Sequence, residues 1–428
     1  MEVKNSALCL FDQPAVQTDF IRNQTVDYYP LTNVASGGPI EFTIPGSSEE
    51  YIDVNDIQLY ILAKVTAADG KTAITSADDK VGLNNLPIAT LFQDVSLMLG
   101  ETQIEGGQMC YPYLGYFNTV MQFTPEAQRS HMQSMGWYKD EAGKFDHETN
   151  KGFAHRSAMV KDSQSFELMG PLFLNFFRQS QYLISQTPMR VKLLPSKPEF
   201  ALNAYGKAKD FKIVFEEVIL YVPRYTLNPS VINGHATGLK KHNAIYPLHH
   251  TEVTTFTIPK GQQSYTKDRL FPDQAPKLLM VAMVDNDAFN GNLSKNPFHL
   301  QHFGLNKLAL YRDGMSVPGR PFAPDFAKGK ILRSYMQTMR TFNYPNTDDT
   351  NGLTPEEFAN GYTIYAFDLT ADQELNGTHR QAITSKNLRL ELFFGAATKE
   401  TINVLLYSVY DSSIEITQLR DVITHYTR

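Results

Sequence analysis

Two closely spaced histidine pairs, His249-His250 and His299 with His302, are the first candidates for chemistry, because imidazole binds metals and moves protons near neutral pH. Metal-binding β-barrels of the cupin type need two histidines one residue apart, and no His-x-His occurs here. The first pair lies in a segment with strand character, so its two rings should point to opposite faces. The second pair could share a metal only on a helix, which the neighbouring Pro297 disfavours. We therefore expect packed or solvated histidines.

Paired carboxylates, which often serve acid–base catalysis, occur at Glu216-Glu217 and Asp348-Asp349. The glutamates fall within a predicted strand, where adjacent side chains face opposite ways and cannot share one substrate. The aspartates fall in a polar loop and should be solvated. The chain has no Gly-x-Ser-x-Gly elbow, no phosphate-binding glycine loop with lysine and no Cys-x-x-Cys. We therefore predict that the chain is not an enzyme and has no catalytic, metal-binding or cofactor-binding residue and no cofactor.

Aromatic residues leave one binding alternative open. Tyr111, Tyr113 and Tyr116 could form a stacking platform for a ligand, although such a stretch more often marks the packing face of a helix. Trp137 is the single tryptophan of the chain, and an exposed tryptophan beside carboxylates suits carbohydrate binding. The alternative to a purely structural protein is therefore a carbohydrate-binding or host-attachment protein.

The composition is that of a folded protein with no general attraction to nucleic acid. Of 428 residues, 42% are hydrophobic and 12% aromatic, and the formal net charge is −6. We therefore expect no sequence-specific nucleic-acid binding. Two cysteines, Cys9 and Cys110, give no disulfide framework and fit a reducing compartment.

Hydropathy bears on where the protein is made. Residues 1–20 lack the apolar segment of a secretory signal, so we expect a protein that is made inside the cell and not secreted. The longest apolar run, residues 278–284, is too short to span a bilayer. Whether the protein contacts a membrane in another way stays open.

The elements that would position any site come in two similar sets. Phe42-Thr43-Ile44-Pro45 returns 214 positions later as Phe256-Thr257-Ile258-Pro259, and 214 is half of the 428 residues. Residues 189–194 are echoed by residues 388–393, in the same order along the chain. A repeat of this length indicates two whole domains rather than the short units of a solenoid. The chain is therefore predicted to be one duplicated β-domain.

Alternating apolar and polar residues predict strands in both halves. From Ile57 onwards every second residue up to Val65 is apolar, which is the period of a half-buried strand. Turn sequences such as Asp69-Gly70 separate these runs. Many short strands with turns between them are typical of sandwich architectures. The further predicted strands are residues 95–99 and 211–222 in the first half and residues 278–284, 308–311, 362–369, 388–394 and 404–410 in the second.

Helices are predicted to be few and short. Thr124-Pro125-Glu126 should cap a helix that runs to His131, and Thr354 with Glu357 has the spacing of a capping box. Residues 325–339 should form an amphipathic helix. Its predicted apolar face consists of Ile331, Leu332, Tyr335, Met336 and Met339.

A short helix that begins at Asn228-Pro229-Ser230 marks the predicted domain boundary. The predicted organisation is an extended N-terminal arm over residues 1–35, a first domain over 36–228 and a second over 229–428. So short a connector should pack the two domains side by side as one rigid block. Three such chains around a threefold axis would present six similar lobes, and a near-hexagonal tile of that shape suits a closed shell.

Segments spread from about residue 10 to the end of the chain carry a resemblance to a known family. In the first half they are Leu10-Phe11 with Pro14 and Gln17-Thr18, Tyr29-Pro30-Leu31, Gly37-Gly38-Pro39-Ile40-Glu41-Phe42, Tyr51-Ile52-Asp53, Asn84-Asn85 and Leu91-Phe92. Further on they are Leu227-Asn228-Pro229-Ser230-Val231, Tyr246-Pro247-Leu248, Ala288-Phe289-Asn290-Gly291, Asn296-Pro297-Phe298, His302-Phe303 and Asp313-Gly314. On these segments the chain resembles the double jelly-roll major capsid proteins of Polinton (Maverick) elements and adintoviruses.

The resemblance implies an all-β fold of two tandem eight-stranded jelly rolls, with short helical inserts. It implies a major capsid protein whose homotrimer is a pseudo-hexagonal capsomer that tiles an icosahedral shell around double-stranded DNA. The implied partners are other copies of the chain, in the trimer and in neighbouring capsomers, and a single jelly-roll penton or minor capsid protein. The implied location is the virion capsid, assembled inside the host cell in the cytoplasm or nucleus. The family lends no catalytic residue.

Overall fold

The computed structural model describes residues 16–75, 79–206, 210–272, 274–375 and 387–425 of the chain. Cys9 and the family-like residues from Leu10 to Pro14 lie outside these ranges. Within them, strands predominate and the helices are short. The description therefore covers both halves of the duplicated sequence.

The first half forms two antiparallel sheets. One has the strand order β1-β11-β4-β8, with β3 beside β11, and the other has the order β2-β9-β6-β7; β5 and β10 pair with each other. The strands are β1 (Phe20–Tyr28), β2 (Ile40–Ile44), β3 (Glu50–Ile52), β4 (Gln58–Ala67), β5 (Asp79–Leu83), β6 (Phe92–Leu99), β7 (Thr102–Glu105), β8 (Phe166–Pro171), β9 (Met189–Pro195), β10 (Leu202–Gly206) and β11 (Phe211–Leu227).

The second half repeats this arrangement. Its sheets have the orders β12-β19-β14-β17 and β13-β18-β15-β16, and β20 pairs with the end of β19. The strands are β12 (Ala244–Ile258), β13 (Ser264–Lys267), β14 (Leu278–Asp285), β15 (Leu305–Arg312), β16 (Met315–Phe322), β17 (Ile364–Asp368), β18 (Leu388–Phe394), β19 (Ile402–Ile416) and β20 (Val422–Thr424).

Both halves have the strand order of a jelly roll. Without the small strands β3, β5, β10 and β20, each half has eight strands among the described residues. In each half one sheet takes the first, eighth, third and sixth of these strands, and the other takes the second, seventh, fourth and fifth. Two interleaved Greek keys produce this order. The predicted fold class, all-β with two tandem eight-stranded jelly rolls and short helical inserts, is therefore confirmed.

The helices lie mainly in one long connection of each half, between the fifth and sixth jelly-roll strands. We call residues 106–165 the first insert and residues 323–363 the second insert. No helix of the described residues is long and apolar enough to cross a membrane. The helices are α1 (Pro87–Thr90), α2 (Tyr111–Gln122), α3 (Pro125–Arg129), α4 (Lys151–Met159), α5 (Pro198–Ala201), α6 (Pro229–Leu239), α7 (Asn286–Asn290), α8 (Leu332–Thr341) and α9 (Pro355–Ala359).

Two predicted helix starts are confirmed by their caps. The Thr124 hydroxyl accepts a hydrogen bond from the backbone N–H of Ala127, 3.3 Å away, at the start of α3. Thr354 and Glu357 form a reciprocal capping box at the start of α9. Each cap satisfies N–H groups that a first helical turn leaves without a partner. Both cap positions were therefore predicted correctly from the sequence.

The predicted helix over residues 325–339 is wrong in extent and in part of its buried face, since Ile331 and Met339 are buried as predicted but Leu332 and Met336 are not. A 3-10 turn ends at Gly329, where φ is +66°, and α8 begins only at Leu332. The predicted face residues Leu332 and Met336 are 61% and 39% exposed. The side of α8 that meets β17 is partly polar instead, since the Thr338 hydroxyl donates to the Ile364 carbonyl at 2.9 Å. Hydrogen bonds to β17 thus determine which side of α8 faces the sheet, whereas the prediction rested on hydrophobicity alone.

The predicted arm over residues 1–35 contains the first strand of the first roll. In β1, Phe20 pairs with Leu227 and Tyr28 pairs with Leu220. The Tyr28 hydroxyl also accepts a hydrogen bond from the buried Arg224 guanidinium, 2.6 Å away. As an edge strand β1 is largely exposed, and its burial alternates only over residues 24–28, which is too short a stretch to mark the strand in the sequence.

The sheet β12-β19-β14-β17 is buried on both faces. In β14, the side chains of Leu279, Val281 and Met283 point into the interior of the second roll. The alternate side chains Met280 and Ala282 join the hydrophobic cluster that also contains the core of the first roll. A strand with two apolar environments needs no polar face, which explains the uninterrupted apolar run of residues 278–284.

A buried ion pair connects the first insert to the second half. The Asp140 carboxylate lies 2.6 Å from the Arg156 guanidinium, and both side chains are at most 1% exposed. Asn150 donates to the same carboxylate at 2.8 Å. From the second half, Asn296 donates to it at 3.3 Å, and the Tyr362 hydroxyl donates to the Asp140 backbone carbonyl at 2.7 Å. One aspartate therefore holds both halves together.

Two N-terminal deletions should separate the role of β1 from that of the residues before it. Deleting residues 1–15 keeps every described contact of β1 and should leave the Tm unchanged. Deleting residues 1–30 removes β1 and exposes Arg224 and the edge of β11, so the Tm should fall by roughly 5 °C or more. Thermal melts followed by circular dichroism measure the difference, and equal melting of both proteins would contradict the structural role of β1.

Removal of the buried carboxylate should be severe. Asp140→Ala leaves Arg156 charged and unpaired in the interior, so the free energy of unfolding should fall by about 3–5 kcal/mol. The matched control is Lys80→Ala, which breaks a pair with Glu148 whose side chains are 59% and 43% exposed, and should cost much less because solvent screens the pair. Denaturant titration measures the free energy of unfolding of both variants, and equal losses would contradict the stabilising role of the buried Asp140 carboxylate.

Candidate functional site

The first histidine pair lies on β12 and is split between two environments. His249 is exposed, and its Nδ1 lies 3.0 Å from Asp411 and 3.1 Å from the Lys277 ammonium. His250 is buried, and its Nε2 lies 2.9 Å from Glu252. The predicted opposite orientation is confirmed, and each ring has its own carboxylate. The pair therefore does not converge on one ligand.

The second histidine pair is held by aromatic stacking. His299 stacks on Phe145 with ring centroids 4.9 Å apart, and its Nδ1 lies 2.7 Å from Asp146. His302 stacks on Phe326 at 3.9 Å, and burial lowers the pKa of its ring below the usual value. The described ranges contain no group of three histidine, cysteine, aspartate or glutamate side chains with the spacing to hold a metal ion. Both rings therefore serve packing in this structure.

The carboxylate pairs are surface groups. Glu216 lies 2.8 Å from the Lys64 ammonium and accepts a hydrogen bond from Ser165 at 2.6 Å. These two hydrogen bonds lower the pKa of the Glu216 carboxyl. Glu217 follows a bulge in β11 and is half-buried, and Asp348-Asp349 is exposed. Neither pair forms the shared acid and base of a catalytic centre.

The tyrosines of α2 pack the first insert against the second half. Tyr116 stacks on Phe298 with ring centroids 4.2 Å apart, and Tyr113 stacks on Phe289 at 5.6 Å. The Tyr113 hydroxyl donates to the Pro297 carbonyl at 3.1 Å. Burial raises the pKa of the Tyr113 and Tyr116 hydroxyls well above the usual value. The packing interpretation is therefore confirmed, and the stacking platform is wrong.

Trp137 is 1% exposed, so the exposed tryptophan required by the carbohydrate-binding alternative is wrong. Its ring lies against Tyr116, with centroids 5.7 Å apart, in the interior of the first insert. An exposed aromatic face is what stacks on a sugar ring. Trp137 does not offer one.

A cleft of about 900 Å³ between the two halves holds a charge cluster that sequence reasoning missed. The Lys277 ammonium lies 2.8 Å from Asp411, and both side chains are 8% exposed. Across the cleft, the Arg178 guanidinium donates to Asn118 at 2.8 Å. Since Lys277 and Asp411 are 134 positions apart in sequence, no local motif could have revealed them. The contacts of Lys277 with Asp411 and His249 all lie within the second half of the chain, so this pairing belongs to the second roll.

A buried carboxylate also links the halves. Glu105, on β7, accepts hydrogen bonds from the backbone N–H groups of Asn175 and Phe176 at 2.8 and 2.6 Å. The Asn175 side chain donates both to Glu105 and to the Thr251 carbonyl of the second half. Burial raises the pKa of the Glu105 carboxyl. The three N–H donors to Glu105 all come from Asn175 and Phe176, so the Glu105 carboxylate fixes the geometry of that loop and has a structural role.

Comparison with known proteins identifies relatives of the whole chain. No protein-family model matches the sequence. A Caenorhabditis elegans protein, "Uncharacterized protein F54H12.2", is 23% identical over 424 residues, which span 96% of this chain and 99% of the relative. The relative is therefore similar along both halves.

Solved structures match the whole fold. A chain of the Sputnik virophage, solved by cryo-EM, has a TM-score of 0.63 at 12% identity and covers 99% of this chain and 92% of its own. The Faustovirus major capsid protein has a TM-score of 0.62 at 8% identity, with coverages of 95% and 92%. The mavirus major capsid protein has a TM-score of 0.54 at 10% identity, with coverages of 97% and 93%.

The matched structures are capsid proteins and not enzymes. Each match spans both halves of the chain, so the agreement includes the tandem arrangement of the rolls and not only one sandwich. The fold of this chain is the double jelly roll of viral major capsid proteins.

Proposed function

We propose that this chain is a major capsid protein of the kind found in Polinton (Maverick) elements and adintoviruses. The observation that carries the proposal is the doubled jelly-roll strand order, which is shared along the full chain with viral major capsid proteins. The sequence segments that resemble that family support the finer assignment. An animal relative of matching length fits a gene carried by an integrated element.

The proposed assembly unit is a homotrimer. Its building blocks are a first roll that runs from β1, within the predicted arm over residues 1–35, to residue 228, and a second roll over 229–428. The hydrophobic cluster that both halves share and the buried contacts of Asp140 with both halves support a rigid pair of rolls within each chain. Three rigid pairs around a threefold axis make six lobes, and such pseudo-hexagonal capsomers would tile an icosahedral shell around double-stranded DNA.

The proposed partners are neighbouring capsomers and a single jelly-roll penton or minor capsid protein. The net charge of −6 supports a shell protein that encloses DNA without sequence-specific binding. The proposed location is the virion capsid, with synthesis and assembly inside the host cell. Trimer interfaces should bury more than the ~1,600 Å² of a standard protein complex, because each chain must be held for the life of the shell.

The mass of the purified protein tests the trimer. Light scattering coupled to gel filtration should give about 145 kDa, three times the 48.4 kDa of one chain. Negative-stain images of the same peak should show hexagonal outlines or closed shells, because six similar lobes surround the axis. A stable monomer at all concentrations up to the millimolar range, with no shells after incubation with the minor capsid protein, would contradict the proposal.

The N-terminal end should matter for shells more than for trimers. Val16, Ile21, Tyr29 and Leu31 are large apolar side chains with 59–79% exposure, a surface suited to contact with a neighbouring chain. The combined substitution Val16→Ser, Ile21→Ser, Tyr29→Ser and Leu31→Ser should leave the 145 kDa species intact and reduce the yield of closed shells at least severalfold. Electron microscopy counts the shells, and normal yields from the substituted protein would refute this role.

A further inference from the structure

The two inserts enclose a cavity of about 270 Å³, which we call the insert cavity. Its walls come from α3, the start of α4 and the segment between them in the first insert, and from residues 351–352 of the second insert. The lining residues are Pro125, Gln128, Arg129, Gln133, Trp137, Tyr138, Lys139, Lys151, Gly152, His155, Asn351 and Gly352. Its volume lies just below the range of cavities that bind drug-sized ligands, so it fits a molecule about the size of one sugar ring.

All charged residues that line the insert cavity are basic. Four basic side chains face the cavity, those of Arg129, Lys139, Lys151 and His155, and the lining contains no carboxylate. Lys139 is held by a carboxylate outside the lining, Glu357, at 2.7 Å. A partly open space with an excess of positive groups attracts anions.

Among these four basic side chains, that of Arg129 is available to a ligand. Lys151 lies 3.3 Å from Glu141, and its side chain is 81% exposed, so this contact is weak and solvated. Within the residues that the structure describes, the Arg129 guanidinium forms no hydrogen bond and no ion pair. A guanidinium binds carboxylate, sulfate or phosphate oxygens through paired N–H donors. Arg129 is therefore the side chain best suited to hold an oxyanion here.

Trp137 lies directly behind the cavity wall. Its side chain is 1% exposed, and its indole N–H is closed off from the cavity. Trp137 therefore reports on the cavity through its proximity and does not bind the ligand.

The cavity depends on a close fit between the inserts. A side chain at Gly352 would place its Cβ 2.3 Å from Pro125, so the second insert approaches the first more closely than any other residue type allows. On the opposite side, Tyr138 and His155 stack with ring centroids 5.0 Å apart and form a flat aromatic wall. The space is thus a product of both halves of the chain.

We propose that the insert cavity binds a small oxyanion-bearing molecule of the size of an acidic monosaccharide. Arg129, supported by Lys151, holds the anionic group. The Tyr138–His155 wall packs against the ring of the ligand. The shared chemistry is the oxyanion, which an acidic sugar or a free inorganic anion would supply.

The single tryptophan makes the site measurable in the full-length protein. Trp137 lies directly behind the cavity wall, so its fluorescence should change in a saturable way when sodium glucuronate is titrated at constant ionic strength, with a Kd of about 1 mM or tighter. Neutral galactose should give no saturable change. Isothermal titration calorimetry on the same samples provides a second readout. Sulfate that competes with glucuronate would show that a free oxyanion suffices, whereas lack of competition would show that the sugar ring is required.

Two substitutions of exposed side chains test the residue assignment. Arg129→Gln should weaken glucuronate binding at least tenfold, because it removes the guanidinium from the rim. Lys161→Gln, which removes an exposed cation of the same insert outside the cavity, should leave binding unchanged. Melting curves confirm that both proteins are folded. Absence of saturable binding by both readouts, equal binding of galactose, or equal effects of the two substitutions would overturn the proposal.

Discussion

The structure depends on a sheet that is buried on both of its faces. One face of β12-β19-β14-β17 closes the second jelly roll, and the other face is covered by helices and by the first half of the chain. Phe117 of α2 contacts Tyr407 of β19, with ring centroids 5.5 Å apart. Because both faces are apolar, the second roll alone would leave one of them in water, and the first insert and the first half cover that face.

Sequence reasoning succeeded where one face of a strand is solvated. The alternation from Ile57 onwards marked β4, and the recurring Phe-Thr-Ile-Pro segment revealed the duplication. It failed where tertiary contacts replace that pattern. The edge strand β1 is exposed on most of its length, and α8 turns threonines rather than Leu332 towards β17. Periodicity reports burial, and in both places burial does not follow the element's own apolar residues.

Titratable side chains that stand out in the sequence form structural ion pairs. Three titratable groups that stand out in the sequence have a structural partner: Asp146 for His299, Lys64 for Glu216 and Asp411 for His249. The insert cavity could not be found in this way, since its walls come from residues 125–155 and 351–352. Only the fold brings together positions that are some two hundred residues apart, and only the fold shows that Trp137 is buried.

The packing of α2 has a consequence for the nascent chain. Tyr113, Tyr116 and Phe117 are synthesised long before Phe289, Phe298 and Tyr407, the rings that cover them. At the usual speed of translation this gap lasts on the order of ten to thirty seconds or more. During that time an apolar helix waits beside a first roll that is otherwise able to close. Each nascent chain therefore exposes these rings to solvent until the second half of the chain has been synthesised.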